Sequence, residues 1–467
     1  MQRLSGLDAS FLYFETSTQL LHVCGLIVLD TTSMPDGYTF ASMKERMDAR
    51  VSTVPEFRRK LRRVPLDLDH PVWVDHTDFD VDRHVHRMAL PAPGGDAELA
   101  ELCGHLAGQP LDRSRPLWEM WIIEGLAEKD RIAVFAKMHH ATVDGMSGMS
   151  LLAHLCSLEP DTPATEPGEI DTDRPGQVEL LARAMVRTAA RPVQAAKLLA
   201  PTVGALTGSI GRARRGTSMA APFRAPRTVF NGTITGRRSI AFVDLSLDDI
   251  KAVKNATGST VNDVLLSICG GALRSYLEGR GELPTSSLVA TVPVSVRDES
   301  GAPGSNQVSA LFAKLATDEP DSLARLKTVS DGNRAAKEHQ KAIPASALQE
   351  WAELAAPKTF GVAVRMYSGL RLPEKHPVVH NLVISNVPGP PVPIYFVGAR
   401  VEAMYPLGPI FHQAGLNITV ISSNGKVHVG LIACPDQMPD LDELADGFGT
   451  ELDRLLEACN VSRETGN

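Results

Sequence analysis

Residues 131–145, Arg131-Ile-Ala-Val-Phe-Ala-Lys-Met-His-His-Ala-Thr-Val-Asp-Gly145, decide how this chain folds. Ile132, Val134 and Met138 recur on one side of a period of two, so residues 131–138 are expected to form a strand. Beyond them Met149, Leu151, Leu152 and Leu155 recur at three and four residues, which predicts a helix. The His139-His140-Ala141-Thr142-Val143-Asp144-Gly145 box between them sits on a strand-to-helix turn. Gly145 suits that turn because a residue without a Cβ tolerates positive φ. A histidine at a strand end can project into a cleft, and Asp144 can return to the imidazole or brace the loop.

These residue types suit proton transfer. A neutral imidazole takes the proton from an alcohol as its oxygen attacks a carbonyl, and a positioned base of this kind contributes about 10²–10⁴-fold. No serine or cysteine stands in a Gly-x-Ser-x-Gly elbow, which favours direct transfer to an acceptor over a covalent acyl-enzyme. Two histidines capping a strand end with ordinary hydrogen bonds are the plainer alternative.

At 467 residues the chain exceeds one ordinary core, so two domains are expected. Its 43% apolar and 22% charged residues are those of a soluble globular protein. Met1–Asp8 lacks the apolar core of a secretory leader, and Leu20–Leu29 is half a membrane span, expected as a buried strand. Six scattered cysteines (24, 103, 156, 269, 434 and 459) suggest reduced thiols in a cytoplasmic protein.

Charge divides the chain. The net value is −8, yet Leu180–Val243 holds eleven Lys or Arg and no Asp or Glu. Glu159–Gly176, acidic and proline-bearing, is expected as a linker, followed by a helix over Leu180–Leu199. This basic amphipathic crossover either touches an anionic lipid surface or is a solvated connector. No aromatic interleaving or binding motif points to nucleic acid. The expected domains are 1–160, a 161–230 crossover and 231–467. Strands are expected at Ser239–Leu245, Ser287–Val296 and Asn381–Ser385, with helices at Asn262–Leu277 and Leu441–Ala458.

The box resembles the signature of coenzyme-A-dependent acyltransferases related to chloramphenicol acetyltransferase and peptide-synthetase condensation domains. Further segments are similar to one branch, the bacterial wax ester synthase/diacylglycerol acyltransferases. They are Leu7-Asp-Ala-Ser-Phe-Leu12, Pro116-Leu117-Trp118 and Val261-Asn262-Asp263-Val264-Leu265-Leu266. Pro293–Arg297, Ser385-Asn386-Val387-Pro388-Gly389-Pro390 and Gly415–Val420 complete a set that spans nearly the whole chain in order. The resemblance implies an α/β (α+β) fold with two chloramphenicol-acetyltransferase-like domains flanking a central channel and joined by a long crossover. It also implies an O-acyltransferase that moves a long-chain acyl group from acyl-coenzyme A, used as substrate without a further cofactor, to diacylglycerol or a fatty alcohol. The expected setting is the cytoplasm, peripheral to the inner membrane or to lipid droplets. A different hydroxyl acceptor (polyketide or sugar lipid) and a non-catalytic lipid-droplet protein are the alternatives.

The resemblance and its nearness to Asp144 make His140 the expected base, with His139 shaping the loop and Asp144 orienting it through a salt bridge. Arg297 matches an arginine important in the family; otherwise it ends a strand in water. Trp118 either walls a substrate channel or fills a core, and Pro116 and Leu117 travel with it. Asn262 and Asp263 either cap a helix or serve the thioester carbonyl, with Asn262 as the donor. Ser385 and Asn386 either help hold an oxyanion or belong to turn chemistry. Glu15 matches an acidic position in the family and has no evident role. Asp75, His76, Asp78, Asp80, Asp82, His84 and His86 are dense in metal-ligating types, but alternation with Phe79, Val81, Arg83 and Val85 predicts a half-exposed strand and no metal site.

Overall fold

A computed structural model describes residues 2–142, 154–163, 176–214, 224–296, 307–340, 353 and 357–461. Asp144, Gly145, Arg297 and the expected helix positions Met149, Leu151 and Leu152 lie outside the described residues. In chain order the strands are β1 (Gln2–Arg3), β2 (His22–Asp30), β3 (Arg59–Arg62), β4 (Val72–Asp75), β5 (Val85–Ala89), β6 (Trp118–Glu124), β7 (Arg131–His139) and β8 (Cys156–Ser157). The later strands are β9 (Ser239–Ser246), β10 (Val289–Val296), β11 (Gln307–Lys314), β12 (Leu382–Pro388), β13 (Tyr395–Phe396), β14 (Ala399–Leu407), β15 (Leu416–Ser423) and β16 (Lys426–Ala433). The early helices are α1 (Gly6–Phe14), α2 (Phe40–Val51), α3 (Pro55–Arg58), α4 (Asp96–Ala107) and α5 (Gln177–Arg214). The later ones are α6 (Leu247–Thr257), α7 (Val261–Gly279), α8 (Ser322–Gln340), α9 (Pro357–Gly369) and α10 (Leu441–Ala458). No described helix is long and apolar enough to cross a membrane.

Two large sheets organise the molecule. The first has the order β5-β6-β7-β2-β14-β13-β8, and the second β11-β10-β12-β15-β16-β9. β2 is almost continuously apolar because both its faces are covered. On one face α2 and α3 set Met43, Met47, Val51 and Phe57 against Ile27, Leu29, Met120 and Ile122. On the other, α4 contributes Leu99, Cys103 and Leu106 to a cluster that also takes in Ile240 of β9 and Ile432 of β16. That second cluster joins the two halves. The outer face of the second sheet is covered by α7 and α10, whose Leu441, Leu444, Ala445, Phe448, Leu452 and Leu455 follow helical spacing.

The expected division at 160 and 231 does not partition the sheets. β13 and β14 come from the C-terminal half yet lie in the first sheet, where β14 pairs with β2 from Asp30↔Arg400 to Cys24↔Leu407. β13 also pairs with β8, the first described strand after the box. The crossover helix α5 runs beyond the expected Leu199, through Pro201, to Arg214.

The alternation over residues 79–86 does not give one strand. Val81–Arg83 form a 3-10 turn in which the Asp80 carboxylate accepts from the Asp82 N–H, and β5 begins only at Val85. A local side-chain cap competes with the ladder there. His84 turns inward, stacks on Trp118 and engages the Trp118 carbonyl through Nδ1 at 2.8 Å.

The seam between the halves is tight. A Cβ on Gly104 of α4 would stand 2.6 Å from the Arg238 carbonyl oxygen, just before β9. In an open helix alanine is favoured over glycine by about 1 kcal/mol. Here overpacking against backbone is expected to win, so Gly104→Ala should destabilise the protein by about 1–3 kcal/mol. Urea unfolding gives the sign, and a stabilised variant would refute this close seating.

Candidate active site

The two box histidines close the end of β7 from both sides. The His139 N–H donates to the Leu117 carbonyl at 2.9 Å, and the His140 N–H to the Leu21 carbonyl at 2.8 Å. The neighbouring strands therefore fix the backbone, while side-chain contacts from α1 fix the rings. α1 starts at an N-cap in which Ser5 Oγ accepts from the Asp8 N–H. It delivers Phe11, stacked on His140 with ring centroids 3.9 Å apart, and ends at Glu15.

Glu15 is the group that holds His139. The Ala141 N–H donates to His139 Nδ1 at 3.0 Å, so Nδ1 is an acceptor and the ring proton resides on Nε2. Nε2–H then donates to Glu15 Oε2 at 2.6 Å. Arg113 Nη2 meets the same oxygen at 2.8 Å. Burial would raise the Glu15 carboxyl, but the hydrogen bond from His139 and the Arg113 guanidinium outweigh it and hold it down at about 2. Burial lowers His139 despite Glu15, so a neutral ring, a carboxylate and a guanidinium make a charge-balanced set.

His140 differs. Its Nδ1 is buried with no hydrogen-bond partner among the described residues. Burial pushes its pKa down to about 4. At neutral pH the ring is therefore uncharged and available as a base. The low pKa makes it a weaker base than an exposed histidine, so basicity rather than protonation state limits it at pH 7.

A third histidine was not picked out from the sequence. His22 of β2 lies directly across the ladder from His139, edge-on at 6.0 Å, and neither ring nitrogen has a partner among the described residues. Its signal was a histidine opening an otherwise apolar strand. Arg113, three residues before the Pro-Leu-Trp segment, carries no local signal for this contact either.

That segment supports the site from below. Pro116 and Leu117 are buried, and Leu117 packs with Leu12 and Ala141 while its carbonyl receives His139. Trp118 lies in the core of the first sheet's covering layer. Its indole is fully buried, edge-on to Phe57, and its Nε1–H donates to the Phe57 carbonyl at 2.7 Å. A large ring with a satisfied N–H is a core element.

In the C-terminal half, Asn386 Nδ2 donates to Asn262 Oδ1 at 3.4 Å, so the two expected segments meet. Thr260, not Asn262, caps α7; Asp263 returns to the Thr260 N–H at 3.0 Å in a capping box and also receives Asn333 Nδ2 at 2.7 Å. Asp263 is thus a structural carboxylate. Ser385 precedes Asn386 on β12, on the opposite face, beside Thr419 of β15. Among the described residues no hydrogen bond, ion pair or ring contact joins Asn262, Ser385 or Asn386 to His139 or His140. Asp144, Gly145 and Arg297 are outside the described residues.

Two sheets joined through a strand exchanged from the C-terminal half define a class of architecture. The first condensation domain of the calcium-dependent antibiotic synthetase shares it over 100% of this chain and 99% of that one, at 13% identity and TM-score 0.57. That likeness concerns the fold. The wax ester synthase/diacylglycerol acyltransferase from Marinobacter aquaeolei VT8 is nearer, at 30% identity and TM-score 0.71, covering 98% of this chain and 100% of that one. The wax ester synthase/diacylglycerol acyltransferase catalytic domain matches residues 4–265, and the corresponding C-terminal domain residues 304–456. A Mycobacterium tuberculosis protein (strain CDC 1551 / Oshkosh) named as a diacylglycerol O-acyltransferase is 48% identical over 467 residues, covering 100% of this chain and 92% of its own. A second, named tgs2, is 35% identical over 97% of this chain and 98% of its own. The chain belongs to the wax ester synthase/diacylglycerol acyltransferase family and is an O-acyltransferase.

The Glu15 brace gives a graded expectation. Glu15→Ala leaves the buried His139 Nε2–H without an acceptor and should cost about 1–3 kcal/mol of stability. Glu15→Gln keeps an acceptor oxygen and should recover most of that loss. Denaturant unfolding of both variants checks this, and equal losses would show that charge rather than the hydrogen bond sustains the brace.

Proposed function

We propose that this enzyme transfers a long-chain acyl group from acyl-coenzyme A to a lipid hydroxyl, chiefly that of diacylglycerol, giving triacylglycerol. A fatty alcohol is the second acceptor, giving a wax ester. The observation that carries this reading is His140: neutral, stacked on Phe11, and standing at a strand end whose partner histidine is locked by Glu15 and Arg113. The names of the relatives support diacylglycerol as the acceptor.

In this mechanism His140 Nε2, on the ring edge opposite the enclosed Nδ1, takes the hydroxyl proton as the oxygen attacks the thioester carbon. The carbonyl π bond opens to a tetrahedral oxyanion. The oxyanion collapses, the carbon–sulfur bond breaks, and the imidazolium returns its proton to the departing thiolate. The ester and free coenzyme A leave, and no net proton is consumed. His139 keeps one tautomer throughout, because Ala141 occupies Nδ1 and Glu15 occupies Nε2–H. Its role is to hold the strand end and keep a positive charge away from His140. The Asn386 amide engages the Asn262 oxygen, which leaves the Asn262 Nδ2–H groups as the donors of that amide.

Free coenzyme A release from a long-chain acyl-coenzyme A, with dioleoylglycerol, hexadecanol or no acceptor, tests the reading. Acceptor-dependent release should fall about 10²–10⁴-fold in His140→Ala. Equal release by the variant would remove His140 as the base. No release with either acceptor from folded wild type would exclude both acceptors.

The pH profile offers a separate check. An ordinary histidine titrates near 6.5. With His140 held at about 4, its neutral form survives further into acid. The acid limb of kcat/KM should therefore lie near pH 4, not near 6.5. For stability the sign is opposite: the unfolded chain binds this proton below about 6.5 and the folded chain resists it, so stability should decline as pH falls from about 6.5 toward 4. Removing the His140 ring should flatten part of that decline in urea unfolding.

A further inference from the structure

Twelve large apolar side chains are exposed among the described residues, and ten of them fall on four segments: Phe14 at the end of α1, Leu66, α5, and α9 with the turn after it. Exposed apolar side chains gathered in this way mark an interaction surface. The segments are tied together. Arg187 and Arg191 of α5 reach Asp69, and Asp69 also receives Arg3. Tyr13 joins His70 through its hydroxyl at 2.8 Å and lies edge-on to Phe360 of α9.

α9 is the sharpest part of this surface. Val362 (45% exposed), Met366 (57%) and Leu370 (56%) repeat every four residues and form one stripe into solvent. Val364 on the other side is buried, so the helix is seated and its outer face is uncovered. Arg365, Arg371 and Lys375 are exposed around the stripe, and residues 357–375 contain a single acid, Glu374. An apolar stripe with a cationic border lies in the plane of an anionic lipid interface, apolar side down.

This face also leads to the base. Phe360 of α9 packs edge-on against Phe14 at 4.9 Å. Phe14 and Phe11 stand one helical turn apart on α1, and Phe11 stacks on His140. Aromatic groups thus line the way from the stripe to the proposed base.

We propose that α9, together with Phe14, seats this enzyme on an anionic phospholipid bilayer, and that the acceptor lipid leaves the bilayer alongside α1 to meet His140. The second clause rests on the lipid-acceptor reading given above; the first does not.

The test uses the full chain and vesicles of phosphatidylcholine with or without phosphatidylglycerol. Wild type should co-float with the anionic vesicles and less with the neutral ones. Met366→Glu/Leu370→Glu should lower its partitioning at least ~10-fold, with an unchanged thermal midpoint as the check on folding. Arg365→Glu/Arg371→Glu, which leaves the stripe intact, should weaken binding to anionic vesicles alone. Coenzyme A release is then measured with dioleoylglycerol in the vesicles and with water-soluble dihexanoylglycerol. Loss of the first activity with the second retained is the expected result. Unchanged flotation of both folded variants would overturn the docking proposal while leaving the transfer reading intact. Parallel loss of both activities would overturn it too, since the face would then serve the catalytic centre. Normal flotation without release from either acceptor would retain α9 as the docking face and reject the lipid-acceptor reading.

Discussion

The pairing of β14 with β2 is the contact on which the rest of the structure depends. β2 has β7 on one side and β14 on the other, so His139 at the end of β7 is referred through β2 to a segment some 370 positions beyond β2 in the chain. The pairing is antiparallel over Cys24–Asp30 and closes with an Arg400–Asp30 ion pair at 3.1 Å. It is irregular at one place, between Val401 and Ala403. Because β14 also packs on β15 and β16, it fixes the spacing of the two large sheets. Without such a link, small rotations of one half would change the distance between His140 and anything on the other.

Around the histidines, burial and charge act in opposite directions, and different terms win at neighbouring residues. At Glu15 the hydrogen bond from His139 and the charge of Arg113 outweigh burial, and the carboxyl stays ionised. At His139 and His140 burial wins, and the rings stay neutral. A cationic His139 would repel a proton arriving on His140; a neutral one does not. Glu15 therefore contributes most through geometry. It accepts one hydrogen bond from a ring whose other nitrogen is already engaged, which leaves that ring no freedom to flip.

What the sequence disclosed follows from the range of the interactions involved. β7 and β2 were legible because alternation and continuous apolarity are local patterns, and α7 and α10 because their helical spacing is long and regular. The family and the His-His box were legible for the same reason. The position of β14 was not, since nothing near Ala399 states that its partner lies at residues 24–30. Glu15 and Arg113 stayed obscure because they act on His139 through folding of α1 over the strand end. Trp118 was open in sequence and is settled by burial of its ring beside Phe57. The misjudged strand at residues 79–84 failed through one short-range bond, Asp80 to the Asp82 N–H, which a period-two pattern does not register.

The strand exchange has a consequence for the making of the protein. During synthesis β2 and β7 leave the ribosome well before β14, the strand that covers the other edge of β2, which is encoded some 370 codons after it. At translation rates of about 5–20 residues per second, that edge waits roughly 20–75 s for its partner. For this interval the nascent chain presents an apolar, unpaired strand edge, the kind of surface that recruits the wrong neighbour. Polysomes crowded with such chains would place many identical edges side by side, so the yield of this enzyme depends on how the cell shields the first half until the last third arrives.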